Sequence, residues 1–317
     1  MHGEIKIMFD RKRNSDILSL LEQKNAKKIL IQVPEGLKMN VQDLADFLGK
    51  NGIEPLISIE PCFGACDLRD SEAKKLGCDL LLHIGHADLG IKTEVPVVYY
   101  EYFIDYDFIP MLRAVIRQIK FRKICLVTTV QFGEGMKTAK KFLEKNGFVV
   151  YDGGYVLGCD VSGARQYERM AECYMFMGSG RFHPLGLQER TERPVLFLDV
   201  EKRTLEDLSE EKDKMKIKRK LRIEKAKYLQ NFGIMVSTTP GQTRMKQAGE
   251  IKRKLEKAGK LAYVLAGDHF TPEKLLGLKI DVLINTACPR MRDDAEQFGK
   301  IILNADDVDE MLAENKG

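Results

Sequence analysis

Short runs of apolar and β-branched residues alternate with amphipathic stretches along most of the chain. The first run, Lys28–Val33, ends at a Pro-Glu-Gly turn and is followed by a helical pattern from Val41 to Leu48. Such alternation predicts a parallel β-sheet with helical crossovers. Three further strand-like runs complete this unit: Pro55–Ile59, Asp79–His86 and Pro96–Tyr100.

The same order of elements recurs twice. Lys123–Thr128 matches the first strand and Ala139–Phe148 matches its helix, and a third pass starts at Phe232–Ser237. Each repeat of about a hundred residues is large enough to hold its own core. We therefore predict an α/β protein of three similar parallel-sheet domains, at residues 1–105, 106–200 and 201–317, in a pseudo-threefold arrangement. The third domain opens with Glu201–Gln230, which lacks Gly and Pro and predicts one long linker helix.

Composition places the chain among soluble globular proteins. Hydrophobic residues make up 44% and charged residues 31% of its 317 residues, and the net charge of +4 gives no bulk argument for binding nucleic acid. No apolar run approaches the roughly 20 residues that a membrane-spanning helix needs. We expect a cytoplasmic protein with no membrane role. The basic stretch Lys212–Lys227 is interpreted as a solvated helical face, and binding of a macromolecule stays open as the alternative.

Three of the seven cysteines follow predicted strands. Cys66 and Cys159 come after the second strand of their repeats, and Cys288 comes after a later strand of the third. Because ligand sites of parallel sheets form beyond the carboxyl ends of the strands, three such thiolates would meet on one cofactor if the domains converge there. Structural zinc sites usually have four ligands, commonly in Cys-x-x-Cys pairs, which are absent here. The pattern therefore favours a 4Fe-4S cluster with one open iron.

The other cysteines are interpreted differently. Cys78, Cys125 and Cys173 lie in or beside apolar strands and are expected in the core. Cys62 competes with Cys66 as a ligand, and we prefer Cys66 because Gly-Ala-Cys-Asp resembles the Gly-Cys-Asp around Cys159.

Several polar residues are further candidates for the site. Gln242 follows a strand of the third repeat, and Arg290 stands two residues after Cys288, where it would pair with a carboxylate. His83, His86 and His183 lie near strand ends, although isolated histidines more often serve structure. Gly178-Ser179-Gly180 is too short for a dinucleotide-binding motif and allows close approach of the backbone.

Taken together, six motifs of this chain resemble those of a known family, the archaeal diphthamide-synthesis enzymes, which are 2-(3-amino-3-carboxypropyl)histidine synthases. The resemblance runs from about Lys28 to the C-terminus. The motifs are Pro34-Glu35-Gly36-Leu37, Gly64-Ala65-Cys66-Asp67, the His-x-Gly-His of residues 83–86, Leu157-Gly158-Cys159, Gly178-Ser179-Gly180 with Phe182-His183-Pro184, and Ala287-Cys288-Pro289-Arg290.

The resemblance implies an atypical radical enzyme that uses S-adenosylmethionine and a 4Fe-4S cluster held by Cys66, Cys159 and Cys288. It implies transfer of a 3-amino-3-carboxypropyl group to the imidazole C2 carbon of a histidine in translation elongation factor 2, with release of methylthioadenosine. It also implies a low-potential electron donor and a homodimer, and no direct nucleic-acid role. Gln242 and Arg290 become candidate S-adenosylmethionine contacts.

Two other classes remain as alternatives. Quinolinate synthase, a 4Fe-4S dehydratase, has a comparable three-domain plan with one cluster ligand in each domain, but its motifs differ from these. A catalytically idle subunit would be expected to lack a cluster cysteine, and all three are present.

Overall fold

Three sheets, each built around its own first strand, organise the computed structural model. The structure describes residues 9–288, Met291 and residues 295–313. The first part contains α1 (Arg11–Gln23), β1 (Lys28–Gln32), α2 (Val41–Lys50), β2 (Glu54–Ile57), α3 (Asp70–Lys75), β3 (Leu80–Ile84) and β4 (Val97–Tyr100). A 3-10 helix, Glu35–Asn40, connects β1 to α2.

The second sheet begins after α4 (Ile109–Val115) and a 3-10 turn at Ile116–Gln118. It comprises β5 (Lys123–Thr128), α5 (Gly133–Lys145), β6 (Val149–Tyr155), α6 (Ser162–Arg165), β7 (Cys173–Gly178), α7 (Phe182–Arg190), β8 (Val195–Asp199) and β9 (Thr204–Asp207), with a 3-10 turn at Val130–Phe132. The third part contains α8 (Ser209–Lys227), β10 (Asn231–Ser237), α9 (Met245–Lys257), β11 (Leu261–Gly267), β12 (Val282–Asn285), α10 (Ala295–Phe298), β13 (Ile301–Asn304) and α11 (Asp307–Leu312), with a 3-10 turn at Glu273–Leu275.

The three sheets have the same order of strands. In each, the first strand lies between the second and the third, giving β2-β1-β3-β4, β6-β5-β7-β8-β9 and β11-β10-β12-β13. The first strand pairs in parallel with both neighbours in every sheet. The predicted α/β class, with three similar parallel sheets, is therefore confirmed. The pseudo-threefold arrangement stays a prediction.

The central strands are continuous apolar runs because both of their faces are buried. Ile29, Ile31 and Leu82 are fully buried in the core of the first sheet, and Ile124 and Leu126 are their counterparts in the second. Strands covered on both faces need apolar residues at consecutive positions, which parallel sheets characteristically show. A separate core cluster lies under the third sheet and includes Phe232 and Ile284.

The chain divides into two compact units that do not follow the three sheets one to one. The first unit runs to Val156 and takes in Gly163–Ser179 and Leu196–Glu206, while the second comprises Leu157–Ser162, Gly180–Val195 and the chain from Asp207 onward. Cys66 therefore belongs to the first unit, and Cys159 and Cys288 belong to the second. The domain boundaries at residues 105 and 200 stay a prediction.

The prediction of one helix over Glu201–Gln230 was wrong at its start. Residues Thr204–Asp207 form β9 at the edge of the second sheet, and the helix α8 begins only at Ser209. The Asp207 carboxylate accepts a hydrogen bond of 2.9 Å from the Ser209 backbone N–H, which satisfies one of the unpaired donors that start a helix. Composition alone did not reveal the boundary between β9 and α8, because the segment contains neither Gly nor Pro.

The basic helix α8 is not solvated along its whole length. Lys212 is buried, and its Nζ donates to the Thr191 carbonyl at 2.7 Å and contacts the Glu192 carboxylate at 2.7 Å. Further along, Arg219 pairs with Asp307 and Glu310 of α11. Part of the predicted solvated face therefore holds the helix in place. No helix within the described part of the chain is both long and apolar enough to span a membrane.

Candidate functional site

The three candidate ligand cysteines lie in turns at the carboxyl ends of strands. Cys66 follows β2, Cys159 follows β6 and Cys288 follows β12. Cys66 and Cys288 are half-buried and Cys159 is exposed, whereas the other four cysteines, Cys62, Cys78, Cys125 and Cys173, are buried. Accessible thiols at strand ends fit an iron–sulfur cluster, because soft thiolates bind it and its iron must be reached from outside the core.

The turn that carries Cys66 is anchored by Gln32, the last residue of β1. The Gln32 side-chain amide donates to the Asp67 carbonyl at 2.6 Å, and its Oε1 accepts the Arg69 backbone N–H at 3.3 Å. Asp67 and Arg69 are themselves buried and lie 3.7 Å apart as an ion pair. One buried amide thus fixes the backbone directly after Cys66.

Gln32 also orients two histidines at the end of β3. Its Oε1 lies 3.0 Å from the His83 Nδ1, so this nitrogen must carry the proton and donate it. Burial lowers the pKa of His83 to about 3 and that of His86 to about 4, so both rings are neutral at pH 7. His83 Nε2 therefore accepts the hydrogen bond of 3.0 Å from His86 Nδ1. His83 Nε2 and His86 Nε2 are thus both unprotonated, and His86 Nε2 is the ring nitrogen at the end of this chain of bonds.

Gly85 is required between the two histidines. Its φ of +99° lies in the left-handed region, and an added Cβ would lie 2.9 Å from the Cγ of Pro34. The Gly85 carbonyl accepts a hydrogen bond of 2.6 Å from the Gln131 side chain. Glycine therefore lets the turn after β1 pack against the histidine turn after β3.

We predict that these neutral histidines make the stability of the metal-free protein fall as the pH is lowered. Their pKa values in the folded state lie below the unfolded value of about 6.5, so the unfolded state binds more protons between pH 6.5 and about 4. Each of the two histidines should lower the unfolding free energy by roughly 2 kcal/mol between pH 7 and pH 5. Denaturant unfolding at pH 7 and pH 5 measures the loss.

The His86→Asn variant tests the assignment, and His269→Asn, in the other unit, is its control. The loss between pH 7 and pH 5 should shrink by roughly 2 kcal/mol in His86→Asn and stay unchanged in His269→Asn. An equal loss in wild type and in His86→Asn would contradict the assignment.

Cys62 is set apart from Cys66 by its surroundings. Burial, and secondarily the Asp67 carboxylate, raises the pKa of the Cys62 thiol to about 12. Its Sγ lies with ring nitrogens of His83 and His86 in a group of ligand atoms that are all within 4.8 Å of one another. The preference for Cys66 over Cys62 as the cluster ligand stays a prediction. Sequence reasoning missed this association, which joins positions more than twenty residues apart.

The Cys159 turn is held through both backbone polar groups of Gly158. Gly158 donates its backbone N–H to His183 Nδ1 at 3.0 Å, and its carbonyl accepts from Arg190 Nη1 at 2.8 Å. Both partners belong to α7. Asp160 then accepts from the Ser162 N–H at 3.0 Å, a bond that lowers the pKa of the carboxyl. His183, a candidate polar site residue, therefore anchors the backbone next to Cys159.

Close contact between two glycines brings α7 against this turn. A Cβ added at Gly186 would lie 2.6 Å from Gly158 Cα, and one added at Gly158 would lie 2.7 Å from the ring of Phe182. Real Cβ atoms do not approach other atoms so closely, so neither position accepts a side chain without displacement. The sequence alone did not show that this close contact requires glycine at both positions.

Gly186→Ala should therefore lower the unfolding free energy by about 2 kcal/mol or more, because α7 must move away from the Cys159 turn. Gly249→Ala is the matched control, since Gly249 also lies in a helix but has open space around an added Cβ. It should stabilise the protein by about 0.5–1 kcal/mol. Denaturant unfolding distinguishes the two, and equal effects would contradict the packing argument.

The Cys288 turn is organised by Asn285, the last residue of β12. The Asn285 Nδ2 donates to the Cys288 carbonyl at 2.8 Å, and its Oδ1 accepts the Ala287 N–H at 3.0 Å. Thr286 Oγ1 donates to the Met235 carbonyl at 2.7 Å, which ties the turn to β10. Asn285 is buried, and its function at a strand end could have been suspected from its polarity after an apolar run.

The structure describes one of the two candidate S-adenosylmethionine contacts, Gln242. Gln242 is half-buried in the turn after β10, and its backbone N–H donates to Thr239 at 3.0 Å. Because β10 and β12 are parallel neighbours, the Gln242 and Cys288 turns leave the same edge of the third sheet. Arg290 lies outside the described residues. Both assignments stay predictions.

These features define an α/β protein of three parallel sheets in which an accessible cysteine follows one strand of each sheet. Comparison with known proteins then identifies the family. Residues 33–316 match the family described as "Putative diphthamide synthesis protein", and the chain belongs to this family.

Two relatives and one solved structure support this membership over most of the chain. The chain is 37% identical, over 94% of its length and 89% of the relative's, to 2-(3-amino-3-carboxypropyl)histidine synthase of Pyrococcus horikoshii. It is 29% identical to the Methanocaldococcus jannaschii protein of the same name, over 84% and 79% of the two chains. The crystal structure of Dph2 from Pyrococcus horikoshii with a 4Fe-4S cluster superposes with a TM-score of 0.86 at 35% identity, covering 98% of this chain and 91% of that one. The predicted family is confirmed, and the quinolinate synthase alternative is not supported.

Proposed function

We propose that this chain is a 3-amino-3-carboxypropyl transferase that catalyses the first step of diphthamide biosynthesis. In the proposed reaction, the bond between the sulfur and the methionine γ-carbon of S-adenosylmethionine breaks. A bond forms between that carbon and C2 of a histidine imidazole in translation elongation factor 2, and methylthioadenosine and a proton are released. The observation that carries the proposal is the match of residues 33–316 together with three accessible cysteines at strand ends.

The proposed cluster ligands are Cys66, Cys159 and Cys288. A 4Fe-4S cluster bound by three thiolates supplies a single electron and one iron with an open coordination position. The anchored turns of this chain suit the ligand role, because each cysteine lies in or directly beside backbone that a side chain holds in place. The relative crystallised with a 4Fe-4S cluster supports the choice of cofactor.

Other parts of the proposal concern binding. Gln242 and Arg290 would contact the amino and carboxylate groups of S-adenosylmethionine. We further propose that the protein acts as a homodimer in the cytoplasm. A low-potential donor would prime the cluster with one electron, which each turnover returns, because the reaction as written is redox-neutral. The three domains would be arranged with pseudo-threefold symmetry around the cluster.

Separate Cys66→Ala, Cys159→Ala and Cys288→Ala changes should each abolish most of the iron bound after anaerobic reconstitution. Cys62→Ala and the core variant Cys125→Ala should retain most of it, because both thiols are buried. Iron and sulfide analysis, with the visible absorbance of the cluster, provides the measurement. Loss of iron in Cys62→Ala with retention in Cys66→Ala would reverse the choice of ligand.

The reaction is tested by anaerobic incubation of the reconstituted protein with S-adenosylmethionine, a low-potential reductant and elongation factor 2. We expect methylthioadenosine and a modified histidine peptide, both read by mass spectrometry. Release of 5′-deoxyadenosine in place of methylthioadenosine would refute the proposed bond cleavage, because it reports breakage on the other side of the sulfur. Omission of the reductant is the control.

A further inference from the structure

A group of side chains with closely spaced ligand atoms lies in the first unit and shares no residue with Cys66, Cys159 and Cys288. It consists of Cys62, His83 and His86, whose ligand atoms all lie within 4.8 Å of one another. Cys62 and His83 are buried, at 3% and 0% exposure, and His86 is half-buried. One sulfur and two imidazole nitrogens form a donor set that suits zinc-type divalent cations better than magnesium or calcium.

The hydrogen bonds around His83 already resemble those of a metal ligand. Histidines that bind metals commonly donate their other ring N–H to an oxygen that fixes the ring. His83 does this through Nδ1 to Gln32 Oε1 at 3.0 Å, which leaves Nε2 facing His86. His86 would bind the ion through Nδ1. To do so, it must shift its proton from Nδ1 to Nε2, and the hydrogen bonds described above leave Nε2 able to take that proton.

The rearrangement needed for binding is small. In a tetrahedral zinc site, two nitrogen ligands lie about 3.3 Å apart, and a nitrogen and a sulfur about 3.6 Å apart. His83 Nε2 and His86 Nδ1 are 3.0 Å apart, so they must separate by a few tenths of an ångström. The sulfur must approach the nitrogens by no more than about 1.2 Å, the difference between the 4.8 Å limit and a separation of about 3.6 Å. Small rotations of side chains cover such distances.

We propose that Cys62, His83 and His86 form a second metal site, which binds a zinc-type divalent cation independently of the cluster cysteines. Three protein ligands leave the fourth position to water. The bound ion would tie the end of β3 to the segment between Cys62 and Cys66. It would thereby add a coordination bond to a loop that Gln32 already anchors through Asp67 and Arg69.

The test uses the full chain carrying Cys159→Ser and Cys288→Ser, so that the proposed cluster site keeps only one thiol. One equivalent of Co²⁺ is added anaerobically to this protein after removal of metal. We expect a thiolate-to-cobalt charge-transfer band and the intense d–d bands of tetrahedral Co²⁺, and Zn²⁺ should displace both. Absence of the charge-transfer band would overturn the proposal.

Further substitutions in the same background locate the ion. Cys62→Ser should abolish the charge-transfer band, and His86→Asn should weaken Co²⁺ binding at least tenfold. Cys78→Ser, which changes another buried thiol of the same unit, is the matched control and should leave the spectrum unchanged. Cys66→Ser should leave it unchanged as well. A band that survives Cys62→Ser, or that Cys66→Ser removes, would refute the site.

The test of the metal site depends neither on a single variant nor on the transferase proposal. His86 is half-buried, so His86→Asn is decisive even if Cys62→Ser fails to fold, which thermal unfolding would reveal. The readout requires neither S-adenosylmethionine nor a cluster. Failure of the transferase reaction therefore leaves the metal site standing, and failure of the metal site leaves the transferase proposal standing.

Discussion

A turn that leaves the end of a parallel strand must satisfy backbone groups that the sheet no longer pairs. In this protein each turn that carries a candidate ligand cysteine forms hydrogen bonds with a side chain that donates to it or accepts from it. Gln32 reaches the Cys66 turn from the neighbouring strand, His183 and Arg190 reach the Cys159 turn from α7, and Asn285 closes the Cys288 turn from the strand that precedes it. Because a buried polar group without a partner is costly, these anchors define one conformation for each turn.

The anchors explain why similar cysteines have different chemistry. A free thiolate forms most readily where a thiol is accessible, and burial opposes it by raising the pKa, so that a buried thiol loses its proton only to a metal ion held directly against it. Cys62 and Cys125, both buried, have thiol pKa values raised to about 12, chiefly by burial. Cys66, Cys159 and Cys288 stand outside the core because their turns are held at its edge. The fold therefore separates accessible thiols from buried ones by where the strands end.

Much of the fold could be predicted from the sequence, because it depends on local patterns. Apolar runs and Gly-containing helix stops predicted the alternating elements, and their recurrence predicted three similar sheets. The start of α8 was missed because a short edge strand has a weak pattern and Asp207 acts through a local hydrogen bond. The anchors of the site were missed for a different reason. Gln32 acts on residues 35 to 51 positions away, and only the folded sheet brings them together.

The same long-range contacts explain why several weak motifs are informative together. Pro34 packs where Gly85 leaves room, so the Pro-Glu-Gly turn and the His-x-Gly-His turn are parts of one packing arrangement. Gln32, two residues before Pro34, binds both His83 and the backbone after Cys66. A change in one of these three motifs therefore alters the surroundings of the other two. Each motif alone is compatible with many proteins, but their joint presence follows from a single arrangement in which the ends of β1, β2 and β3 meet.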